Sequence, residues 1–171
     1  MYPANIELAV AVCAHLGVPR AVALAGMKNY EPDPFAAALF CFPSGSLFIN
    51  ALSANDPEST MAIWQRVRDA RVQDDTKLVV IINGRRDRVE RTMEMMSLAA
   101  SLKPRAVWFL GASGRAALKR FGTPVSVFKN VNELPFESLG SDSIVLAIGN
   151  VAVFGQPLIE RVQSLGAIHV R

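Results

Sequence analysis

The spacing of hydrophobic residues changes after residue 34. Before that point, apolar residues recur at helical spacing over 6–16 and again over 19–27, which predicts two short helices. Asn5 is expected to cap the first helix and Gly17 to end it. The segment 29–34 follows, and its two prolines, two residues apart, disfavour both helix and strand and predict a linker.

After the linker, short apolar runs alternate with amphipathic stretches. The run 78–82 is apolar throughout, which is typical of a strand in a sheet that is covered on both faces. The alternation predicts an α/β fold, a Rossmann-like, mostly parallel, doubly wound sheet that is preceded by a short helical segment. The predicted strands are 38–42, 47–51, 78–82, 106–110, 125–128, 144–148 and 167–170, and the predicted helices are 57–68, 88–102, 113–121 and 157–165, with one helical turn at 131–134.

Composition narrows the class of protein. Of the 171 residues, 51% are hydrophobic, which supplies the core of a domain and excludes a disordered chain. The net charge is only +3 and the basic residues are mostly dispersed, so a nucleic-acid-binding surface is not indicated. Cys13 and Cys41 lie among apolar residues, which favours a reduced, cytoplasmic protein. No spacing of cysteine and histidine indicates a metal site.

The residues that follow each predicted strand are the candidate site, because open α/β sheets bind ligands at the carboxyl ends of their strands. After the strand 47–51, several polar side chains precede a predicted helix. Asp56 fits a helix N-cap and Asn55 a turn residue. However, the eleven residues of 50–60 are many for a simple loop, and a helix N-terminus also attracts anions, so both interpretations stay open.

The strongest local signal follows the strand 78–82, where Asn-Gly-Arg-Arg-Asp-Arg occupies 83–88 and Arg91 follows. Four arginines at one strand end repel each other, and arginine binds carboxylates and phosphates through paired hydrogen bonds. This indicates an anion site. The alternative is an exposed helix start with arginine–glutamate pairs, such as Glu90 with Arg86.

The other signals are weaker. The exits at 111–114 and 149–150 fit either ligand contacts or ordinary turns. No P-loop, dinucleotide fingerprint or serine hydrolase motif occurs in the sequence. His15 and His169 lie in apolar segments and are expected to be structural. The residues by themselves therefore predict an anion-binding α/β domain without an evident catalytic group.

Three segments in this order resemble one family. Residues 48–60 with the following Ile63-Trp64, residues 80–92 with their RxDRVxRT pattern, and Gly149-Asn150 with the PLIE of 157–160 resemble the C-terminal domain of the Mur-ligase superfamily. The resemblance is greatest to the Mur-ligase-like subunit of poly-γ-glutamate synthase, the capsule-polymer enzyme.

The resemblance also implies a domain organisation and an activity. Residues 1–34 would be the helical tail end of a central ATPase domain with its linker, and 35–171 the C-terminal-like α/β domain. Family members are ATP-dependent amide ligases, in which an amine attacks an acyl phosphate. The C-terminal domain closes over that site and holds the incoming amino acid, which excludes water from a reactive intermediate.

The expected function is therefore that of one domain of a larger enzyme, inactive alone, that polymerises glutamate with ATP and Mg²⁺. Its implied partners are glutamate or the growing poly-γ-glutamate chain and the membrane subunits of a capsule synthase, which would place a cytoplasmic enzyme at the membrane. The alternatives are a freestanding module that binds an anion or a nucleotide, and a partner-docking domain of a capsule complex.

Matching the motifs assigns binding residues, but no catalytic or metal-binding residue. Expected at the nucleotide or the domain cleft are Asn50, Asn55, Asp56, Ser59 and Thr60. Expected at the acceptor substrate or a phosphate are Asn83, Arg86, Asp87, Arg88 and Arg91, with Asn150 as an additional candidate. The loop 149–155 departs from the closing GNIHG motif of the family: it lacks the histidine and has two more residues, so the resemblance assigns no role to residues 151–154.

Overall fold

The computed structural model describes residues 3–29, 36–54, 56–72, 76–111 and 124–170. The chain divides into two compact units, Met1–Pro34 and Phe35–Arg171. Asn55 and the predicted helix 113–121 lie outside the described residues, as does most of the predicted linker. No helix in the described part of the chain is long and apolar enough to cross a membrane.

The first unit contains two helices, α1 (Pro3–His15) and α2 (Arg20–Met27). An exposed ion pair connects them: the Arg20 guanidinium donates two hydrogen bonds to the Glu7 carboxylate, at 2.7 and 2.9 Å. This pair lowers the pKa of Glu7 through its hydrogen bonds and its charge. Exposed pairs of this kind contribute little to stability.

The ends of these helices differ in part from the sequence expectation. Asn5 lies inside α1 and does not cap it, because the helix already begins at Pro3. Gly17 has a φ of +80°, a left-handed conformation that glycine adopts without strain, and it ends the helix region as predicted. Pro19 is the N-cap of α2, one residue before the first helical position.

The second unit is built around a seven-stranded mixed sheet. The strands are β1 (Ala38–Cys41), β2 (Leu47–Asn50), β3 (Lys77–Asn83), β4 (Ala106–Leu110), β5 (Val125–Phe128), β6 (Ser143–Gly149) and β7 (Ile168–Val170). Their order is β5-β4-β3-β6-β2-β1-β7. The five strands from β5 to β2 run parallel, and β1 pairs antiparallel with both β2 and β7. The predicted α/β fold with a mostly parallel sheet is confirmed.

Helices cover both faces of the sheet. They are α3 (Pro57–Arg71), α4 (Val89–Ser101) and α5 (Gly155–Ser164), with 3-10 turns at Val131–Glu133 and Phe136–Ser138. Successive residues of a strand point to opposite faces, so Val80 and Ile82 of β3 pack in one cluster with Met95 of α4. Ile81 packs in the other cluster, which includes Leu158 of α5. The sheet is therefore doubly wound, as its apolar strands predicted.

Candidate functional site

The carboxyl ends of β3, β4 and β6 lie side by side at one edge of the sheet. Asn83 at the end of β3 is in register with Leu110 of β4 and with Gly149 of β6. A Cβ on Gly149 would lie 2.5 Å from the Asn83 carbonyl oxygen, and one on Gly111 would lie 2.6 Å from the Gly84 carbonyl oxygen. Both glycines also have positive φ, +109° and +100°. Glycine is therefore required for the strand ends to approach so closely.

Asn83 and Asn150 form a buried clasp between the ends of β3 and β6. The Asn83 Nδ2 donates hydrogen bonds to the carbonyl oxygens of Asn150 and Ala152, at 2.6 and 3.0 Å. The Asn150 Nδ2 donates to the Asn83 carbonyl oxygen at 3.2 Å. Both amide groups thus hold the loop that follows β6. The Asn83 Oδ1 is buried without a hydrogen-bond partner in the described residues.

The start of α3 is held by Asp56, which caps the helix. Its carboxylate accepts hydrogen bonds from the backbone N–H of Ser59 at 2.7 Å and from the Ser59 hydroxyl at 2.9 Å. These hydrogen bonds lower the pKa of Asp56, with a smaller contribution from the charge of Arg91. Thr60 is fully buried, and its hydroxyl donates to the Asp56 carbonyl oxygen at 2.9 Å. These three residues therefore stabilise the first turn of α3.

Asn50 at the end of β2 is also buried, with 1% of its surface exposed. Its Oδ1 accepts a hydrogen bond from the Leu52 backbone N–H at 3.3 Å, and its Nδ2 donates to the Ala36 carbonyl oxygen at 3.4 Å. The structure therefore places Asn50 in contacts within the domain itself. Among the residues predicted to face a nucleotide, Asp56 and Ser59 lie at the surface, while Asn50 and Thr60 are buried.

The arginine cluster after β3 is partly neutralised by its own aspartate. The Arg85 guanidinium donates two hydrogen bonds to the Asp87 carboxylate, at 2.9 and 2.5 Å, and this pairing lowers the pKa of Asp87. Arg86 and Arg88 are exposed, and within the described residues neither side chain forms an ion pair or a hydrogen bond. The alternative pairing of Glu90 with Arg86 is thus not observed.

Arg91, in the first turn of α4, connects the segments that follow three strands, β2, β3 and β6. Its Nη2 donates hydrogen bonds to the carbonyl oxygens of Ala54 and Gly149, both at 2.8 Å. Burial lowers the pKa of Arg91, and the charge of Arg88 lowers it further. Arg91 Nε is buried without a partner among the residues that the structure describes. The contacts of this guanidinium are therefore with the β2–α3 loop and the end of β6.

A pocket of about 640 Å³ opens beside the arginine cluster. Its lining combines cationic side chains with apolar ones, and it consists of Gly84, Arg85, Arg86, Asp87, Gly111, Val127, Phe128, Lys129, Val153 and Phe154. Arg86 and Asp87 were predicted from the sequence, but the pocket residues of β5 and the loop residues Val153 and Phe154 were not. Lys129 directly follows a predicted strand, so the strand-exit rule extended to β5 finds it.

Comparisons with known proteins identify the family of the chain. Residues 42–165 match the family model described as the poly-gamma-glutamate synthase CapB C-terminal domain. The chain belongs to this family. The CapB-type domain is 31% identical to the capsule biosynthesis protein CapB of Bacillus anthracis and 27% identical to the PGA synthase CapB of Bacillus subtilis (strain 168). Each comparison covers 96% of this chain, but only 38% and 45% of these relatives, so the chain spans less than half of their length.

Solved Mur ligases share the fold. The murein peptide ligase Mpl from Psychrobacter arcticus 273-4 matches 98% of the chain with a TM-score of 0.63 and 14% identity, over 37% of its own length. The MurF ligase from Thermotoga maritima, solved in complex with ADP, matches 91% of the chain with a TM-score of 0.58 and 15% identity, over 36% of its own length. The resemblance to the Mur-ligase superfamily is therefore confirmed at the level of the fold.

Proposed function

We propose that this CapB-type domain holds the acceptor substrate in an ADP-forming amide ligase that polymerises glutamate into poly-γ-glutamate. The observation that carries the proposal is the position of two cations, Arg86 and Arg88, at the carboxyl edge of the sheet. Neither has an ion-pair partner among the described residues, and Arg86 lines the pocket. Family membership supports the reaction type, and the pocket supports the role as a substrate-holding domain.

The charge balance of the cluster supports an anionic ligand. Asp87 neutralises Arg85, so Arg86 and Arg88 keep a net positive charge at one strand end. Such an arrangement is electrostatically unfavourable in the unliganded domain and becomes favourable when a carboxylate or phosphate is bound. The carboxylates of glutamate and the phosphoryl oxygens of an acyl phosphate both have this chemistry.

In the proposed reaction, a carboxylate is first activated as an acyl phosphate at the expense of ATP. The amine of the next glutamate then attacks the acyl carbon, the amide bond forms, phosphate leaves, and the amine proton passes to solvent. Arg86 and Arg88 orient the carboxylate of the incoming glutamate or stabilise the charge on the departing phosphate. Closure of the domain over the acyl phosphate limits its hydrolysis.

The described residues do not fit a Mg²⁺ site. Mg²⁺ is held by oxygen ligands, whereas Asp56 is hydrogen-bonded at the start of α3 and Asp87 is paired with arginine. No group of three metal-binding side chains occurs in the described part of the chain. We assign the binding of Mg²⁺ and most of the binding of ATP to the remainder of a larger enzyme, and we expect this chain alone to be inactive. Asp56 and Ser59 are exposed and stay the proposed contacts of this domain with the nucleotide or the domain cleft, whereas Asn50 and Thr60 are buried.

Two further parts of the proposal come from the resemblance. Residues 1–34 are assigned to the end of a preceding ATPase domain and its linker, and membrane subunits of a capsule synthase are the proposed partners. The two cysteines, Cys13 and Cys41, are free thiols, which supports the cytoplasm as the proposed compartment.

The test is Arg86→Ala and Arg88→Ala in the full-length enzyme, with Arg105→Ala as the matched control. Arg105 is an exposed arginine at the opposite edge of the sheet, directly before β4. We expect both cluster variants to reduce kcat/KM for glutamate incorporation by about tenfold or more, because each loses a charged contact to the substrate. Their urea denaturation should be unchanged. Wild-type polymer synthesis by both variants would refute the proposal, and it would favour a module that binds anions without taking part in ligation.

A further inference from the structure

The loop between β6 and α5 contains an unusual backbone conformation. Val153 has a φ of +73°, and Lys103 at +49° is the other non-glycine residue with positive φ in the described part of the chain. A β-branched side chain is sterically disfavoured in this left-handed region. The loop therefore maintains a conformation that valine does not favour.

Buried hydrogen bonds hold the loop in this conformation. The Asn83 side chain binds the carbonyl oxygens of Asn150 and Ala152 on the N-terminal side of Val153. The backbone N–H of Gly155 donates to the Val151 carbonyl oxygen at 2.8 Å. The strain at Val153 is thus imposed by contacts of its neighbours.

Packing of the valine side chain does not offset this strain. Val153 is 71% exposed, so its isopropyl group adds little to the hydrophobic core. Strained, exposed positions that surrounding contacts hold in place are concentrated at ligand-binding sites. Val153 meets this description, because it lines the pocket beside the arginine cluster.

The surroundings of Val153 define the chemistry of the ligand. Phe154, Val127 and Phe128 contribute apolar surface to the same pocket, and Arg86 and Lys129 contribute positive charge. A molecule that combines a carboxylate with a short aliphatic segment satisfies both surfaces. An apolar side chain that contacts the aliphatic segment also limits how many methylene groups fit.

We infer that Val153 is a specificity-determining residue, whose isopropyl group contacts the methylene segment of the acceptor amino acid and sets its permitted length. The inference rests on the proposed function, since it takes the pocket as the acceptor site. It also gives a role to a residue of the segment 151–154, to which the family resemblance assigns none.

The experiment measures binding of three homologous dicarboxylic amino acids by this 171-residue chain. Aspartate, glutamate and 2-aminoadipate, each as both enantiomers, are titrated by NMR into the wild type, Val153→Gly and the control Lys103→Gly. Glycine relieves the positive-φ strain in both variants, but only Val153→Gly changes the pocket, because Lys103 lies before β4 at the opposite edge of the sheet. We expect wild-type and Lys103→Gly chains to bind glutamate in preference to 2-aminoadipate. Val153→Gly should reduce this preference about tenfold, the effect of one methylene group in a fitted pocket.

Two measurements separate the possible outcomes. The inference is overturned if the wild type binds all three amino acids without preferring glutamate, or if Val153→Gly binds them with the same preference as the wild type. Either result leaves the proposed function standing. Absence of binding by every probe at millimolar concentration overturns both. The urea midpoint of Val153→Gly should equal or exceed that of the wild type, since strain is removed and little packing is lost. A lowered midpoint would instead identify Val153 as a structural residue and overturn the inference.

Discussion

Replacement of Arg91 by methionine tests whether this side chain holds together the segments that follow β2, β3 and β6. Methionine retains much of the aliphatic stem but removes both hydrogen bonds from Nη2 to the carbonyl oxygens of Ala54 and Gly149. A hydrogen bond from a charged group contributes about 1.5–3 kcal/mol. Because Arg91 is partly exposed, we take the lower value for each bond and expect Arg91→Met to lose about 3 kcal/mol of unfolding free energy.

Urea denaturation followed by circular dichroism measures this loss, with Arg88→Met as the control. Arg88 is exposed and has no side-chain partner in the described residues, so its replacement should change the unfolding free energy by no more than about 0.5 kcal/mol. Arg91→Lys keeps the charge and one or two donors, and should fall between the other two variants. A loss below 0.5 kcal/mol for Arg91→Met would show that the two carbonyl contacts do not hold the strand exits together.

Three other predictions concern two glycine positions, the pH dependence of stability and ATP hydrolysis. Gly149→Ala should unfold at a clearly lower urea concentration than the wild type, because its Cβ would lie 2.5 Å from the Asn83 carbonyl oxygen. The control is Gly26→Ala, which should stabilise the chain, because Gly26 lies inside α2 and a Cβ there would meet nothing within 4 Å. The lowered pKa of Asp56 means that its contribution to stability is present above about pH 4 and is lost as the pH falls through the folded-state pKa. Asp56→Asn, which caps without titrating, should therefore show a smaller loss of stability between pH 4 and pH 2 in urea titrations. The chain alone should hydrolyse no ATP in a phosphate-release assay, and robust turnover would reveal a catalytic site that the present assignment lacks.

The fold could largely be predicted from the sequence, because the sheet is covered on both faces. β6 is buried along its whole length and is apolar from Ile144 to Ile148, which makes it visible in the sequence as a continuous apolar run. The antiparallel pairing of β1 with β2 and β7 could not be predicted, because an apolar run has the same pattern in a parallel and in an antiparallel pair. The 3-10 turn at Phe136–Ser138 was not predicted, and its Phe136 ring is placed by distant partners, Phe42, Phe48 and Trp108.

The candidate site was predicted in part. Because α/β sheets bind ligands at the carboxyl ends of their strands, the residue types after each strand pointed to the arginine cluster, and the structure shows a pocket beside it. The same reading could not identify Val153, because an apolar residue in a loop carries no chemical signal. Its relevance comes from its backbone conformation and from its position beside β5, neither of which the local sequence specifies.

The sequence by itself determined which elements form, which strand ends carry polar residues, and that four arginines lie close to one of them. Only the tertiary structure decided what each arginine does. Arg85 is paired within its own loop, and Arg86 and Arg88 are left exposed. Arg91 binds carbonyl groups that lie 37 and 58 residues away along the chain. The physical reason is that a hydrogen bond depends on distance in space, and the parallel sheet brings together strand ends that are remote in sequence.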